Sequence, residues 1–173
     1  MKRLFIVVSV FGLGAVLTAL ILAQSTRGTS QLTLNGTKVS VEYGRPSLRG
    51  RGVQDMLAQL SPGDFWRLGA DDSTTFSTTG DLDFGGSKVP KADYSLWARK
   101  EASGSWKLVF NTQHGQYGTE HDPAKDLVSA PLKESKLANP VEELTISLTK
   151  QGSGGEIRIQ WGNLQLAADF KAK

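Results

Sequence analysis

Nine residues, Tyr43–Arg51, hold the densest chemistry in the sequence: Tyr-Gly-Arg-Pro-Ser-Leu-Arg-Gly-Arg. Arg45, Arg49 and Arg51 carry permanent charge on planar donor forks, the geometry that grips carboxylates and phosphates. A second segment, Trp66–Asp72, adds an aromatic face, the Arg67 guanidinium and the Asp71-Asp72 carboxylates. If the two segments meet, their arginines can orient an anionic or polyhydroxy ligand while Trp66 stacks on it. The same residues can instead form a salt-bridged clasp that closes one end of a β fold. Exposed pairs of that kind contribute only ~0–1 kcal/mol, whereas partly buried bidentate pairs define loop geometry. Gly44, Gly50 and Gly52 suit either reading, because each lets the backbone turn sharply.

Other chemistries are more weakly signalled. His114, Glu120, His121, Asp122 and Asp126 are metal-ligand types gathered in one stretch. They show neither His-Glu-x-x-His spacing nor an Asp-x-Asp-x-Asp-Gly loop, so no metal and no cofactor is expected. There is no Gly-x-Ser-x-Gly elbow to present a nucleophile, and a Ser47–His–Asp arrangement would have to be assembled purely in space. Asp71-Asp72 or Asp81 with Asp83 are carboxylate pairs of the kind that act on glycans, yet such pairs are commonplace at strand edges. Trp66, Trp97, Trp106 and Trp161 either line an open carbohydrate-binding face or pack the core. Trp97 and Trp106 flank the Ala102–Ser105 turn and are expected as cross-strand neighbours.

These residues need elements to carry them. Gln31–Asn35 and Thr37–Tyr43 alternate polar and apolar around Asn35-Gly36, a dipeptide suited to a two-residue primed turn, which predicts a hairpin. Val53, Met56, Leu57 and Leu60 recur at helical spacing before Ser61-Pro62-Gly63, which predicts one short helix over 53–60. Thr74–Thr78, Leu82–Phe84, Tyr94–Arg99, Trp106–Asn111, Leu144–Lys150, Glu156–Trp161 and Leu164–Phe170 read as short strands, with Trp161-Gly162-Asn163 as a corner. Gln113–Asn139 reads as a loop-rich insertion between them. The expected fold is all-β: an antiparallel β-sandwich, jelly-roll-like, over residues 31–173.

The beginning of the chain speaks to location. Lys2 and Arg3 precede the apolar run Leu4–Leu22, and Ala23 follows at a cleavage position. Met1–Ala23 is therefore expected to be a signal peptide, or an uncleaved anchor helix, since the run approaches the ~20 apolar residues that span a bilayer. Residues 24–30 read as a linker. Either form places the remainder outside the cytoplasm, periplasmic or secreted, touching membrane only through that segment. The chain has 20 basic and 17 acidic residues. Without Lys2 and Arg3 the balance is 18 against 17, which offers no basic surface for nucleic acid. The absence of cysteine excludes disulfides, thiol chemistry and a lipidated cysteine. A domain of ~150 residues has enough core to fold without such bridges.

The order of several motifs resembles an uncharacterised family of secreted bacterial proteins, a domain of unknown function. The motifs are Tyr43–Arg51, Trp66–Thr74, Val89–Leu96, Trp106 with Phe110-Asn111, Gly115–Thr119, Asp122, Asp126 and Trp161-Gly162. The resemblance spans Leu32 to Phe170 and implies export and a β-sandwich-like domain, with no activity attached. The chain departs from it twice. Gly69-Ala70-Asp71-Asp72 stands where the family has Gly-Ala-Asn-Glu, and His121 stands where it has an aromatic residue. The expectation is a binding or interaction module whose anionic or carbohydrate ligand meets Arg45, Arg49, Arg51, Trp66, Arg67, Asp71 and Asp72. An extracytoplasmic hydrolase acting on a polysaccharide or ester, and a structural envelope protein, are the alternatives.

Overall fold

The computed structural model describes residues 25–173; the leader expected at Met1–Ala23 lies outside the described residues. Strands β1 (Arg27–Leu34) and β2 (Thr37–Gly44) pair antiparallel across Asn35 and Gly36, whose φ angles of 49° and 82° are those of the predicted primed turn. On β2, Val39, Val41 and Tyr43 point into the core while Lys38 and Glu42 face out. Strand β1 begins at Arg27, inside the expected linker, because residues 27–30 find partners at 41–44 of β2.

Helix α1 (Val53–Leu57) buries Val53 and Leu57 and ends earlier than the expected 53–60. Its first residue is preceded by Gly52, which supplies no side-chain cap, and the Leu60 amide closes a turn back onto Leu57. The remaining strands are β3 (Phe65–Trp66), β4 (Thr75–Thr78), β5 (Leu82–Phe84), β6 (Ser87–Val89), β7 (Asp93–Lys100), β8 (Trp106–Asn111), β9 (Asp126–Gln151) and β10 (Gly154–Ala172). They form one open antiparallel sheet in the order β1-β2-β4-β7-β8-β9-β10-β5-β6, with β3 set end to end with β4 along β7. The chain is thus predominantly antiparallel β with one small helix, as its alternating pattern predicts. The sheet bends back toward its first strands. The Leu148 amide donates to Ser30 Oγ at 2.9 Å, and residues 46–48 exchange backbone bonds with 142–144 of β9.

Three further expectations are corrected. The supposed insertion 113–139 is loop only as far as a 3-10 turn at Pro123–Lys125; from Asp126 it is β9. Residues 133–143 of that strand are mostly exposed, so they lack the apolar alternation that marks a half-buried strand; residues 133–136 and Val141 pair with β10, and Glu142 and Glu143 lie against residues 47 and 48. Trp161-Gly162-Asn163 does not separate two strands but lies within β10, where Gly162 at φ 55° sits between two shifts of register. Trp97 pairs with Val109 and Trp106 with Lys100, so the two indoles occupy opposite faces of the sheet. Trp106 packs in the core, and Trp97 is buried beneath the 112–125 loop with Ser95, Val109 and Asn111.

Candidate functional site

The two arginine-bearing segments meet backbone to backbone. A Cβ at Gly44 would collide with Ala70, whose nitrogen would lie 2.8 Å from it, so only glycine permits the crossing. The 67–72 turn is held in shape by Thr74 Oγ1 donating to the Leu68 carbonyl at 2.9 Å. On its other side, the Gly118 amide donates to the Asp71 carbonyl at 2.7 Å. Arg49, Leu68 and Asp71 all take positive φ, at 51°, 51° and 59°. For side chains of this size that conformation costs on the order of 1–3 kcal/mol each, an expense concentrated around functional clefts.

Between these segments, helix α1 and residues 118–121 lies a cleft of about 630 Å³. It is lined by Pro46, Arg51, Met56, Leu57, Leu60, Phe65, Trp66, Arg67, Gly69, Trp97, Gly118, Thr119, His121 and Trp161. Trp66 stacks on Trp161 at 5.9 Å and meets the edge of Trp106 at 6.2 Å. Trp161 is 3% exposed, and among the described residues its indole N–H has no acceptor.

The structure divides the expected site residues. Arg51, Trp66 and Arg67 converge on the cleft, and among the described residues neither arginine has a carboxylate within ion-pair distance. The Arg51 side chain is instead posed by neutral acceptors, its Nε donating to Leu48 O at 2.9 Å and Nη2 to Ser47 O at 3.3 Å. Arg45 turns away to pair with Glu143 at 2.9 Å, the clasp geometry. Arg49 is exposed at the tip, and its amide donates to Glu142 Oε1, which also accepts from Ser47 Oγ. These two bonds, the Ser47 hydroxyl first, hold the Glu142 carboxyl below the usual glutamate range. Asp71 is occupied by Ser25, whose hydroxyl and amide both donate to its Oδ2; those bonds, with the positive field of Arg67 and Arg27, outweigh desolvation and lower its pKa. Asp72 is exposed and pairs through its backbone with Tyr117.

The stretch considered for metal chemistry divides as well. His121 is only 11% exposed in its side chain, lies against Phe65 at 4.0 Å and Trp97 at 4.6 Å, and shares a 2.8 Å hydrogen bond between Nε2 and Asp126 Oδ1. Asp122 caps the 3-10 turn through Ala124 N, and His114 is exposed outside the cleft. Among the described residues no three His, Asp or Glu side chains are grouped to hold a metal ion. The tryptophans are all buried rather than displayed on an open face. A separate hollow of about 450 Å³ beside β5 and β10 contains Asp83, but that carboxylate is already paired with Lys88.

Sequence reasoning missed Phe65, Leu57, Thr119 and Trp161 as cleft walls, and it read His121 and Asp126 only as metal-ligand types. The signal available was the aromatic character of Phe65-Trp66 beside a guanidinium. The helix and loop partners come from distant sequence.

What the geometry defines is an antiparallel β protein with an arginine-flanked aromatic cleft. By sequence the chain belongs to the family described as "Protein of unknown function (DUF2911)", which matches residues 25–170. No curated protein and no solved structure matches it.

Proposed function

We propose that this is an exported binding protein whose cleft takes a small anionic or polyhydroxy ligand between Arg51 and Arg67. One observation carries the reading: two guanidinium groups without carboxylate partners among the described residues border one aromatic-walled cleft. A cleft of this size suits a ligand no larger than a sugar acid or short glycan end, in the range of small-molecule sites. The strained turn at Leu68 and Asp71 supports the assignment, since backbone strain is retained where it fixes a functional geometry. Export rests on the Met1–Ala23 leader pattern. A two-layer, sandwich-like closure of the sheet belongs to the same proposal, supported by the Leu148 to Ser30 contact.

The test is calorimetric titration of residues 24–173 with D-glucuronate and inorganic phosphate. Charge-assisted bonds of ~1.5–3 kcal/mol put the loss for Arg51→Ala or Arg67→Ala at about tenfold or more in Kd, with the fold retained. Equal affinity in wild type and the double variant would sink the reading. The alternative of a hydrolase on a polysaccharide or ester has one observation in its favour, the carboxylate-oriented histidine in the cleft wall. Turnover of a glycoside or ester that disappears in His121→Phe would establish it.

A further inference from the structure

His121 is the cleft residue whose hydrogen-bonding sense the structure fixes, through a chain of three side chains. The Gln113 amide donates to Asn111 Oδ1 at 2.9 Å, which sets the orientation of that buried amide. Asn111 Nδ2 must then donate, and does so to the Asp122 carbonyl and to Asp126 Oδ1, each at 2.8 Å. Asp126 Oδ1 is thereby an acceptor toward Asn111. Its second partner, His121 Nε2 at 2.8 Å, must carry the proton. In the Nε2–H tautomer of imidazole the other ring nitrogen, Nδ1, is a lone-pair acceptor.

Apart from the Thr119 hydroxyl, which can accept or donate, the other polar side chains of the cleft have the opposite character. Arg51 and Arg67 only donate, and so does the Trp161 indole N–H, buried without an acceptor among the described residues. A ligand complementary to that wall offers acceptors to the arginines and a donor to the imidazole. A simple carboxylate or a fully ionised phosphate supplies the first and lacks the second.

From this we infer that the ligand class of the cleft is a hydroxy acid: a small carboxylate bearing hydroxyl groups, of which a sugar acid is the natural type. Its carboxylate lies on Arg51 and Arg67, and one hydroxyl donates to His121 Nδ1. His121 is then the residue that determines specificity, and Asp126 and Asn111 are positioning residues that hold its tautomer. The inference rests on the proposed anion-binding role of the cleft and goes beyond it by naming what the ligand must carry besides its charge.

The experiment compares D-glucuronate with cyclohexanecarboxylate, which keeps the ring and carboxylate and lacks the hydroxyls. Wild type is expected to bind glucuronate about tenfold more tightly, the worth of one good hydrogen bond in a desolvated site. His121→Phe preserves the aromatic packing on Phe65 and Trp97 and should bring the two acids to equal affinity. Asp126→Leu removes the acceptor of the Nε2 proton, frees the imidazole to take either tautomer and should lower the preference while Phe65 and Trp97 still flank the ring. The tautomer itself is read from the imidazole nitrogen shifts, with protonated Nε2 and bare Nδ1 expected in wild type. If both acids bind and Arg67→Ala weakens both, but His121→Phe leaves their ratio unchanged, the hydroxy-acid inference is wrong and the anion site stands. A ratio abolished by Thr119→Val instead would assign the hydroxyl to the other polar side chain and overturn it too. If neither acid binds, the anion-site reading itself fails.

Discussion

At one end of the core Phe76, Phe84, Phe110, Phe170 and Tyr94 interlock, with ring centroids 5.0–6.4 Å apart. All five are at most 2% exposed. At the other end Trp66, Trp106 and Trp161 pack with comparable spacing, yet this cluster opens onto a cleft bordered by Arg51, Arg67 and His121. The phenylalanine end also borders a hollow, lined by Phe170 and Asp83, but there the carboxylate is already paired with Lys88 and the Tyr94 hydroxyl donates to the Pro90 carbonyl. The tryptophan end keeps an indole N–H without an acceptor among the described residues. Aromatic burial serves stability in the first cluster. In the second it also builds a dry wall on which a few charges act at reduced screening.

Truncation should separate the two ends. Phe110→Ala removes a ring that touches Phe76, Phe84 and Tyr94, and a loss of about 3–5 kcal/mol is expected from urea unfolding. The cleft reaches none of these rings, so glucuronate affinity should be unchanged in the folded fraction. A parallel loss of affinity would mean that the ends are coupled and the contrast is false.

Trp161→Phe comes next. It keeps most of the stack on Trp66 and deletes a buried donor without an acceptor among the described residues, so a loss of only about 1–2 kcal/mol is expected. The same variant should weaken the bound acid measurably. Stability falling as far as in Phe110→Ala would place Trp161 with the closed core instead.

Acid should act on the cleft end before the core. Glu142 ties Ser47 and Arg49, and through them the segment that carries Arg51. Its folded pKa is depressed, so the stabilisation is complete above the ordinary glutamate value of about 4.3 and is lost as pH falls through the folded value. Asp71 behaves alike toward Ser25, in the range below an ordinary aspartate. Hydrogen exchange at the Arg49 amide is expected to accelerate over that acid range, and in Glu142→Gln this pH dependence should flatten. Exchange at β8 amides should stay slow throughout.

Much of the scaffold was legible because its physics is local. Asn35-Gly36 marks its turn by backbone preference alone, and Val39, Val41 and Tyr43 mark a face by period two. The long β9 was hidden because the side chains of residues 133–143 mostly face solvent, while the pairing of 133–136 and Val141 is through the backbone with β10, leaving no pattern to read. The site was half legible for a related reason. Residue type announced Arg51, Trp66 and Arg67, but that Arg45 is the one drawn into an ion pair depends on Glu143, which lies ninety-odd residues away along β9 and is set beside Ser47 only by the fold. His121 carried the least signal, since its hydrogen bond to Asp126 is shared with Asn111 from another strand.

The finest division falls between two arginines that look equivalent in sequence. Arg45 is ion-paired with Glu143, both side chains being a third or more exposed. Such a pair contributes at most about 1 kcal/mol, so Arg45→Ala should shift the unfolding midpoint slightly. Since Arg45 lies outside the cleft, its loss should leave acid binding intact. Arg67→Ala should do the reverse, changing stability by no more than about 0.5 kcal/mol while abolishing most of the affinity. Removing Arg67 also withdraws one of the charges that depress Asp71, so the acid sensitivity of the Ser25 contact should move toward higher pH. Should Arg45→Ala weaken binding as much as Arg67→Ala, the clasp and the ligand site would be one structure, and the division between the two ends of the molecule would have to be redrawn through residue 45.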